Sequence, residues 1–140
     1  MYKNYKIEIG KTIKDALKKL KKNGFKCLVV VNSKDNFLGT ISDGDLRNAI
    51  LNNNAINSKI NKHVNKKPIF YYEKNFSLDR AKSQLIKYNL PYIPVLSKHK
   101  KVIKIIDLKF IDKTKVPEKI SLPVVIMAGG KGTRLLPYTK

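Results

Sequence analysis

Thr12-Ile13-Lys14-Asp15-Ala16 falls, 65 residues further along the chain, on Ser77-Leu78-Asp79-Arg80-Ala81, and the match runs on without a gap. Leu20 falls on Leu85, Val30-Val31 on Val95-Leu96, Phe37-Leu38 on Val102-Ile103, and Ile41 on Ile106. Self-similarity at a fixed spacing is the signature of a duplicated unit. One such unit cannot cover its own sheet, so two like-folded halves packed around a common core are expected.

Both copies follow the same local grammar. Thr12, with Asp15 three residues on, and Ser77, with Asp79 following, are N-caps with an acid in the first helical turn. Ile13, Ala16, Leu17 and Leu20 recur at helical spacing, and Asn23-Gly24 is a C-terminal stop. Cys27-Leu28-Val29-Val30-Val31 reads as a buried strand, and Ser33-Lys34-Asp35-Asn36 as a turn. A second strand over 37–41 leads to a tight turn at Asp43-Gly44 and a helix over 45–51. The second copy predicts a helix over 77–88, strands over 92–96 and 102–106 with a turn at 97–101, and a helix from Leu108. Between the copies, 56–64 is expected to form a short helix, Lys66-Lys67-Pro68 breaks it, and Ile69-Phe70-Tyr71-Tyr72 reads as an added strand. Phe70 and Tyr72 are expected to pack in the core.

The 140 residues suit two small repeats sharing a core, and 42% hydrophobic content is enough to build one. No apolar run approaches the roughly 18 residues of a membrane span, and residues 1–11 lack a signal-peptide core. The lone Cys27 has no disulfide partner in the chain and suits a buried strand position. These features point to a cytoplasmic protein. The net charge of +20 invites a nucleic-acid reading. The charge is nearly all lysine, however, with arginine only at positions 47, 80 and 134, and no aromatic residues are interleaved as a base platform. Direct nucleic-acid binding is therefore disfavoured, although the charge would concentrate anionic metabolites. His63 and His99 stand without cysteine or carboxylate partners at ligand spacing, so no metal site is expected.

Gly39-Thr40-Ile41-Ser42-Asp43-Gly44-Asp45-Leu46-Arg47 resembles the signature of CBS domains, in which a glycine, a Ser or Thr and an Asp bind a nucleotide. The resemblance implies an adenine or guanine nucleotide in a cleft at this turn. A helix opening there offers amide N–H groups and the positive end of its dipole to a phosphate. Ser42 adds a hydroxyl, Asp45 a carboxylate for a ribose, Arg47 a cation for a phosphate, and Thr12 a further hydroxyl. Ser42 and Asp45 would equally serve as a plain helix cap, and both readings stand on the residues alone. In the second copy Lys104 replaces Gly39, Asp107 replaces Ser42 and Phe110 replaces Asp45. The ribose carboxylate is lost and Asp107 would repel phosphate, so at most one nucleotide site per pair is expected, lined mainly by the first copy, with Pro68 to Tyr71 bordering the other cleft.

Near the C-terminus, the apolar run Leu122-Pro123-Val124-Val125-Ile126-Met127-Ala128 precedes Gly129-Gly130-Lys131-Gly132-Thr133-Arg134-Leu135. This closely resembles the opening signature of sugar-phosphate nucleotidyltransferases, which join an NTP to a sugar 1-phosphate. The resemblance implies that Gly129, Gly130, Gly132 and Thr133 hold nucleotide phosphates, with Arg134 stabilising charge on the triphosphate during catalysis and Mg serving the parent enzyme. The Gly-Lys-Ser/Thr ending of a P-loop is absent, and Leu135 stands where a dinucleotide fingerprint needs its third glycine. The sequence ends at Lys140, short of the family's metal-binding aspartates, so this stretch alone is not expected to catalyse.

The reading is therefore a mixed α+β fold of two βαββα CBS repeats, 1–65 and 66–111, packed as a pseudo-twofold pair. A linker over 112–121 and the first strand and Gly-rich loop of a truncated nucleotidyltransferase domain over 122–140 complete it. The expected function is a regulatory nucleotide-binding module, homodimeric, attached to an enzyme that takes a sugar 1-phosphate. A ligand-free dimerisation module and a basic nucleic-acid binder are the alternatives.

Overall fold

The computed structural model describes residues 2–114. The linker and the glycine-rich segment expected over 112–140 thus lie, beyond Thr114, outside the described residues. A 3-10 turn at Tyr2–Tyr5 enters β1 (Lys6–Glu8), followed by α1 (Ile13–Asn23), β2 (Cys27–Val31), β3 (Phe37–Ser42) and α2 (Asp43–Leu51). A 3-10 turn at Ile60–His63 crosses to the second half, which holds β4 (Tyr71–Tyr72), a 3-10 turn at Glu73–Asn75, α3 (Leu78–Lys87), β5 (Ile93–Leu96), β6 (Val102–Ile106) and α4 (Leu108–Thr114). Each half forms a three-stranded sheet with its central strand parallel to the first and antiparallel to the third.

The 65-residue spacing survives as strand register. Leu28↔Ile41, Val29↔Thr40, Val30↔Gly39 and Val31↔Phe37 pair in the first half. Their counterparts Ile93↔Ile106, Pro94↔Ile105, Val95↔Lys104 and Leu96↔Val102 pair in the second. Even the register shift recurs, between Val30 and Val31 and between Val95 and Leu96. The correspondence breaks at the first strand of each sheet. Val30 pairs with Ile7, but Val95 pairs with Tyr71, so one extra residue separates β4 from α3. Pro94, at the place of Val29, has no N–H to donate, and the parallel ladder of the second half begins only at Val95.

Both long helices are closed as their sequences dictate. The Thr12 hydroxyl accepts the Asp15 N–H, and Gly24 takes the left-handed conformation (φ 65°) and returns its N–H to the Leu20 and Lys21 carbonyls. Ser77 caps α3 at the equivalent place, accepting the Arg80 N–H. Ile13, Ala16 and Leu20 of α1, and Ala81 and Leu85 of α3, face their own sheets.

The central strands are buried on both faces, and their period of two divides the core. Leu28 and Val30 point towards α1 and α2, where they meet Ile13, Ile41, Leu46 and Ile60. Ile93 and Val95 point towards α3 and α4, with Leu85, Ile106 and Ile111. Between the sheets, Cys27, Val29 and Val31 meet Tyr92, Leu96 and Val102. The layers are helix, sheet, sheet, helix, and the inter-sheet layer is the core the two repeats share. Tyr5 ties the entering chain to that layer, stacked on Phe25 at 3.9 Å and edge-on to Tyr92 at 5.2 Å. The Phe37 N–H donates to the Lys100 carbonyl at 2.8 Å across the halves.

Several local expectations need correction. Asp43-Gly44 is not a separate turn: β3 runs straight into α2, whose first turn contains both residues, because Ser42 takes the cap position itself. Residues 56–64 form a 3-10 turn only over Ile60–His63, fastened by Ile60 N–H to the Lys11 carbonyl and by burial of Ile60 and Val64. Phe70 and Tyr72 are not core residues: each is 37% exposed, and they meet edge-to-face at 5.5 Å. Tyr71 packs inward instead, against Phe76, with its hydroxyl donating to Gln84 at 2.7 Å. No helix among the described residues is long and apolar enough to cross a membrane.

Candidate functional site

The residues singled out around position 42 meet where β3 becomes α2. The Ser42 backbone N–H and hydroxyl both donate to Asp45 Oδ2, each at 2.7 Å, while the Asp45 N–H returns to the Ser42 hydroxyl at 3.1 Å. This is a complete capping box, typically worth about 1 kcal/mol to its helix, so the plain-cap reading of these two residues is realised. It leaves Asp45 Oδ1 without a hydrogen bond among the described residues, on a half-buried side chain. The Asp43 N–H is also taken, by the Lys26 carbonyl at 3.0 Å. The helix start therefore offers fewer open amides than the sequence suggested, and Asp45 Oδ1 is the principal free acceptor at its rim.

Arg47 does not reach over an open phosphate seat. Its Nε donates to Asp43 Oδ2 at 2.6 Å, one turn back on the same helix, with both groups exposed. Such a pair holds the side chain by only about 0.5 kcal/mol. Thr12 is committed elsewhere. Its hydroxyl donates to Asp15 Oδ2 at 2.8 Å, its residue bridges Lys59, and none of its hydrogen bonds reaches the Ser42 group. The structure thus brings Ser42, Asp43, Asp45 and Arg47 together and leaves Thr12 as a cap. Gly129, Gly130, Gly132, Thr133 and Arg134 lie outside the described residues.

Gly39 has a packing role that the signature alone did not disclose. The chain returns at Asn65 and exchanges both backbone hydrogen bonds with Thr40, at 3.1 and 2.9 Å. A Cβ on Gly39 would sit 2.2 Å from the Asn65 carbonyl oxygen. The glycine lets this segment cover the outer edge of β3.

Cys27 pairs across the ladder with Ser42, and burial pushes its thiol up, with the Asp45 carboxylate adding to the rise. The Tyr92 hydroxyl is buried with no hydrogen-bond partner among the described residues. Burial, and after it the neighbouring Cys27 thiol, holds the phenol well above its ordinary range.

The second half treats the same junction differently. Asp107, in the place of Ser42, caps α4 by accepting the Phe110 N–H at 2.6 Å. The substitution thus exchanges one good cap for another. Beside it lies a cavity of about 730 Å³ lined by Tyr2, Asn4, Tyr5, Phe25, Ile103, Lys104, Ile105, Asp107, Lys109 and Phe110. Sequence reasoning missed its far wall, because Tyr2 and Tyr5 come from a 3-10 turn at the other end of the chain. A second cavity, of about 500 Å³, lies beside β1 and α1. There Lys3, Lys6, Lys11 and Lys19 are offset by Glu8, Asp15 and Asp35, with Lys6 paired to Asp35 at 2.6 Å. Neither cavity is lined by Thr12, Ser42, Asp43, Asp45 or Arg47. Among the described residues no three His, Cys, Asp or Glu side chains gather to hold a metal ion.

The family model of the CBS domain matches residues 1–52. No curated protein matches the chain. Among solved structures, a CBS domain pair/ACT domain protein from Thermotoga maritima is similar with a TM-score of 0.66 at 16% identity, over 81% of this chain and 88% of that one. A CBS domain protein from Pyrobaculum aerophilum complexed with AMP gives 0.64 at 15%, over 75% and 80%. The CBS domain pair of protein MJ0100, in complex with methylthioadenosine and S-adenosylmethionine, gives 0.63 at 22%, over 77% and 84%. At these identities the likeness shows the fold alone: the described residues are folded as a tandem CBS domain pair is.

Proposed function

We propose that the chain is a CBS pair that senses a nucleotide at the start of α2. In this reading Asp45 Oδ1 accepts the hydroxyls of a ribose. The Ser42 hydroxyl and the α2 N-terminus face a phosphate, and Arg47 joins them by leaving its surface pair with Asp43. Thr12 lies apart from this group, capping α1. The observation that carries the reading is the uncommitted Oδ1 of a half-buried carboxylate held rigid by two hydrogen bonds. The internal repeat lends further support. Shifted back by 65, the cavity residues Ile103, Lys104, Ile105, Asp107, Lys109 and Phe110 become Leu38, Gly39, Thr40, Ser42, Gly44 and Asp45. Similar CBS structures are described as complexes with AMP or with methylthioadenosine and S-adenosylmethionine, which supports an adenine ligand ahead of a guanine one.

We further propose that the module regulates a nucleotidyltransferase beginning at residue 122. The resemblance of residues 122–139 to that family's opening signature supports this. The enzyme would use an NTP, Mg and a sugar 1-phosphate, with Arg134 and the glycines at 129, 130 and 132 holding phosphates beside Thr133. Exposed Leu51, Ile56 and Ile86 suit a homodimer, and an unpaired buried cysteine suits the cytoplasm. A second reading, ligand-free dimerisation, is favoured by the completed capping box, which needs no ligand.

Calorimetry of the chain against AMP, GMP, ATP and GTP separates the two readings. Sensing predicts saturable heat and a raised melting temperature for at least one nucleotide, adenine first. No heat at millimolar ligand, with an unchanged oligomer, leaves only dimerisation.

A further inference from the structure

The cavity of about 500 Å³ beside β1 and α1 lies at the opposite end of β2 from Ser42, where Val31 and the turn residue Asp35 join its wall. Ile7 and Val31 are its apolar part, and the rest of the lining is charged. Its four lysines are not equivalent. Lys6 is committed: it pairs with Asp35 at 2.6 Å and lies 4.8 Å from the centre of the Tyr2 ring. Lys19 is half-buried, and its one hydrogen bond among the described residues goes to the Lys6 carbonyl, a neutral acceptor. It forms no ion pair among the described residues. Burial holds its ammonium below the ordinary lysine range. Lys3 and Lys11 line the same cavity, also outside any ion pair among the described residues. Of the three carboxylates, Asp35 belongs to Lys6 and Asp15 to the capping box of α1, which leaves Glu8.

The second repeat makes the matching contact without charge. Gln84, 65 residues after Lys19, accepts the Tyr71 hydroxyl at 2.7 Å, so a neutral pair fastens α3 to β4. The fold therefore does not require a cation at this place on the helix. An ammonium drawn out of water without a counter-ion is destabilising unless an anion joins it. We propose that this cavity is an anion site, in which Lys19, flanked by Lys3 and Lys11, takes the compact oxyanion group of a small molecule. Lysine meets such a group as a point charge, and the attraction is stronger where water is partly excluded than at an open surface. Glu8 faces a hydroxyl or amine donor on the rest of the ligand. The proposal does not rest on nucleotide binding at Asp45, and each can fail without the other.

Titration calorimetry of the whole chain with inorganic phosphate and with malonate, at fixed ionic strength, tests the site. The expected result is saturable binding of at least one probe at about millimolar concentration, and the stronger of the two tells a phosphate-bearing ligand from a carboxylate. Lys19→Gln, which installs the residue of the second repeat, should weaken that binding roughly tenfold. Lys3→Gln, at an exposed position, should weaken it roughly threefold. Lys18→Gln removes the same charge from an exposed neighbour outside the cavity and should leave the affinity unchanged. Ser42→Ala should also leave it unchanged. No saturable binding of either probe, equal weakening by Lys18→Gln and Lys19→Gln, or loss of binding in Ser42→Ala overturns the proposal.

Discussion

Ser42 and Asp107 stand at the same point of two hairpins that share four equivalent strand pairs, yet they close their helices by different means. In the first repeat a hydroxyl caps α2 and is itself held by Asp45, leaving one carboxylate oxygen facing out. In the second, a single carboxylate does the capping and an aromatic ring fills the place of Asp45. The backbone needs only a cap at this junction, and both solutions supply one. Duplication therefore conserved what the fold requires and left the residue three places further on free to diverge. Fold and site are separable here, and substitutions at matched positions can show it.

The largest effects should be symmetric. Ile41 and Ile106 are register-equivalent and fully buried. Ile41→Ala and Ile106→Ala should each cost about 4 kcal/mol in urea denaturation. A cost confined to one of them would mean that the halves do not share one cooperative core. Next comes a position where the halves should differ. Gly39→Ala drives a methyl against the Asn65 carbonyl and should cost about 3 kcal/mol. Lys104→Ala, on the exposed edge of β6, should stay within about 0.5 kcal/mol. Equal costs would remove the explanation given for the glycine.

A smaller, symmetric effect is expected at the caps. Asp45→Ala and Asp107→Ala should each lower stability by about 1 kcal/mol, read from the melting temperature. The smallest effect concerns Tyr92, whose hydroxyl is buried without a partner. Tyr92→Phe should be neutral or stabilising by up to about 1 kcal/mol. Because burial raises this phenol above its ordinary 10.0, the unfolded chain releases the proton first, and stability should fall as the pH passes about 10. Tyr92→Phe should flatten that fall, and an unchanged alkaline profile would show that the phenol keeps access to water.

The repeat was legible because its carriers are local: caps at Thr12 and Ser77, helical apolar spacing, and two apolar strands 65 residues apart. The strand β1 was not, because three residues of mixed polarity carry no period. It exists only because β2 offers an edge for Lys6 to Glu8. The apparent turn at Asp43-Gly44 misled because a glycine after an aspartate is a turn signal only where no cap precedes it. At the site, the grouping of Ser42, Asp43, Asp45 and Arg47 could be read from their spacing. The commitment of Thr12 to Asp15, the Arg47–Asp43 pair and the aromatic wall from Tyr2 and Tyr5 depend on contacts that spacing does not encode.

The most direct test compares two variants that lose the same structural element. Asp15→Ala removes the capping box of α1 and Asp45→Ala that of α2, so their stability losses should match. In AMP titration calorimetry, Asp15→Ala should bind like the parent chain, at one nucleotide per chain, while Asp45→Ala should lose the heat. Equal affinity in both variants would contradict a nucleotide site at Asp45.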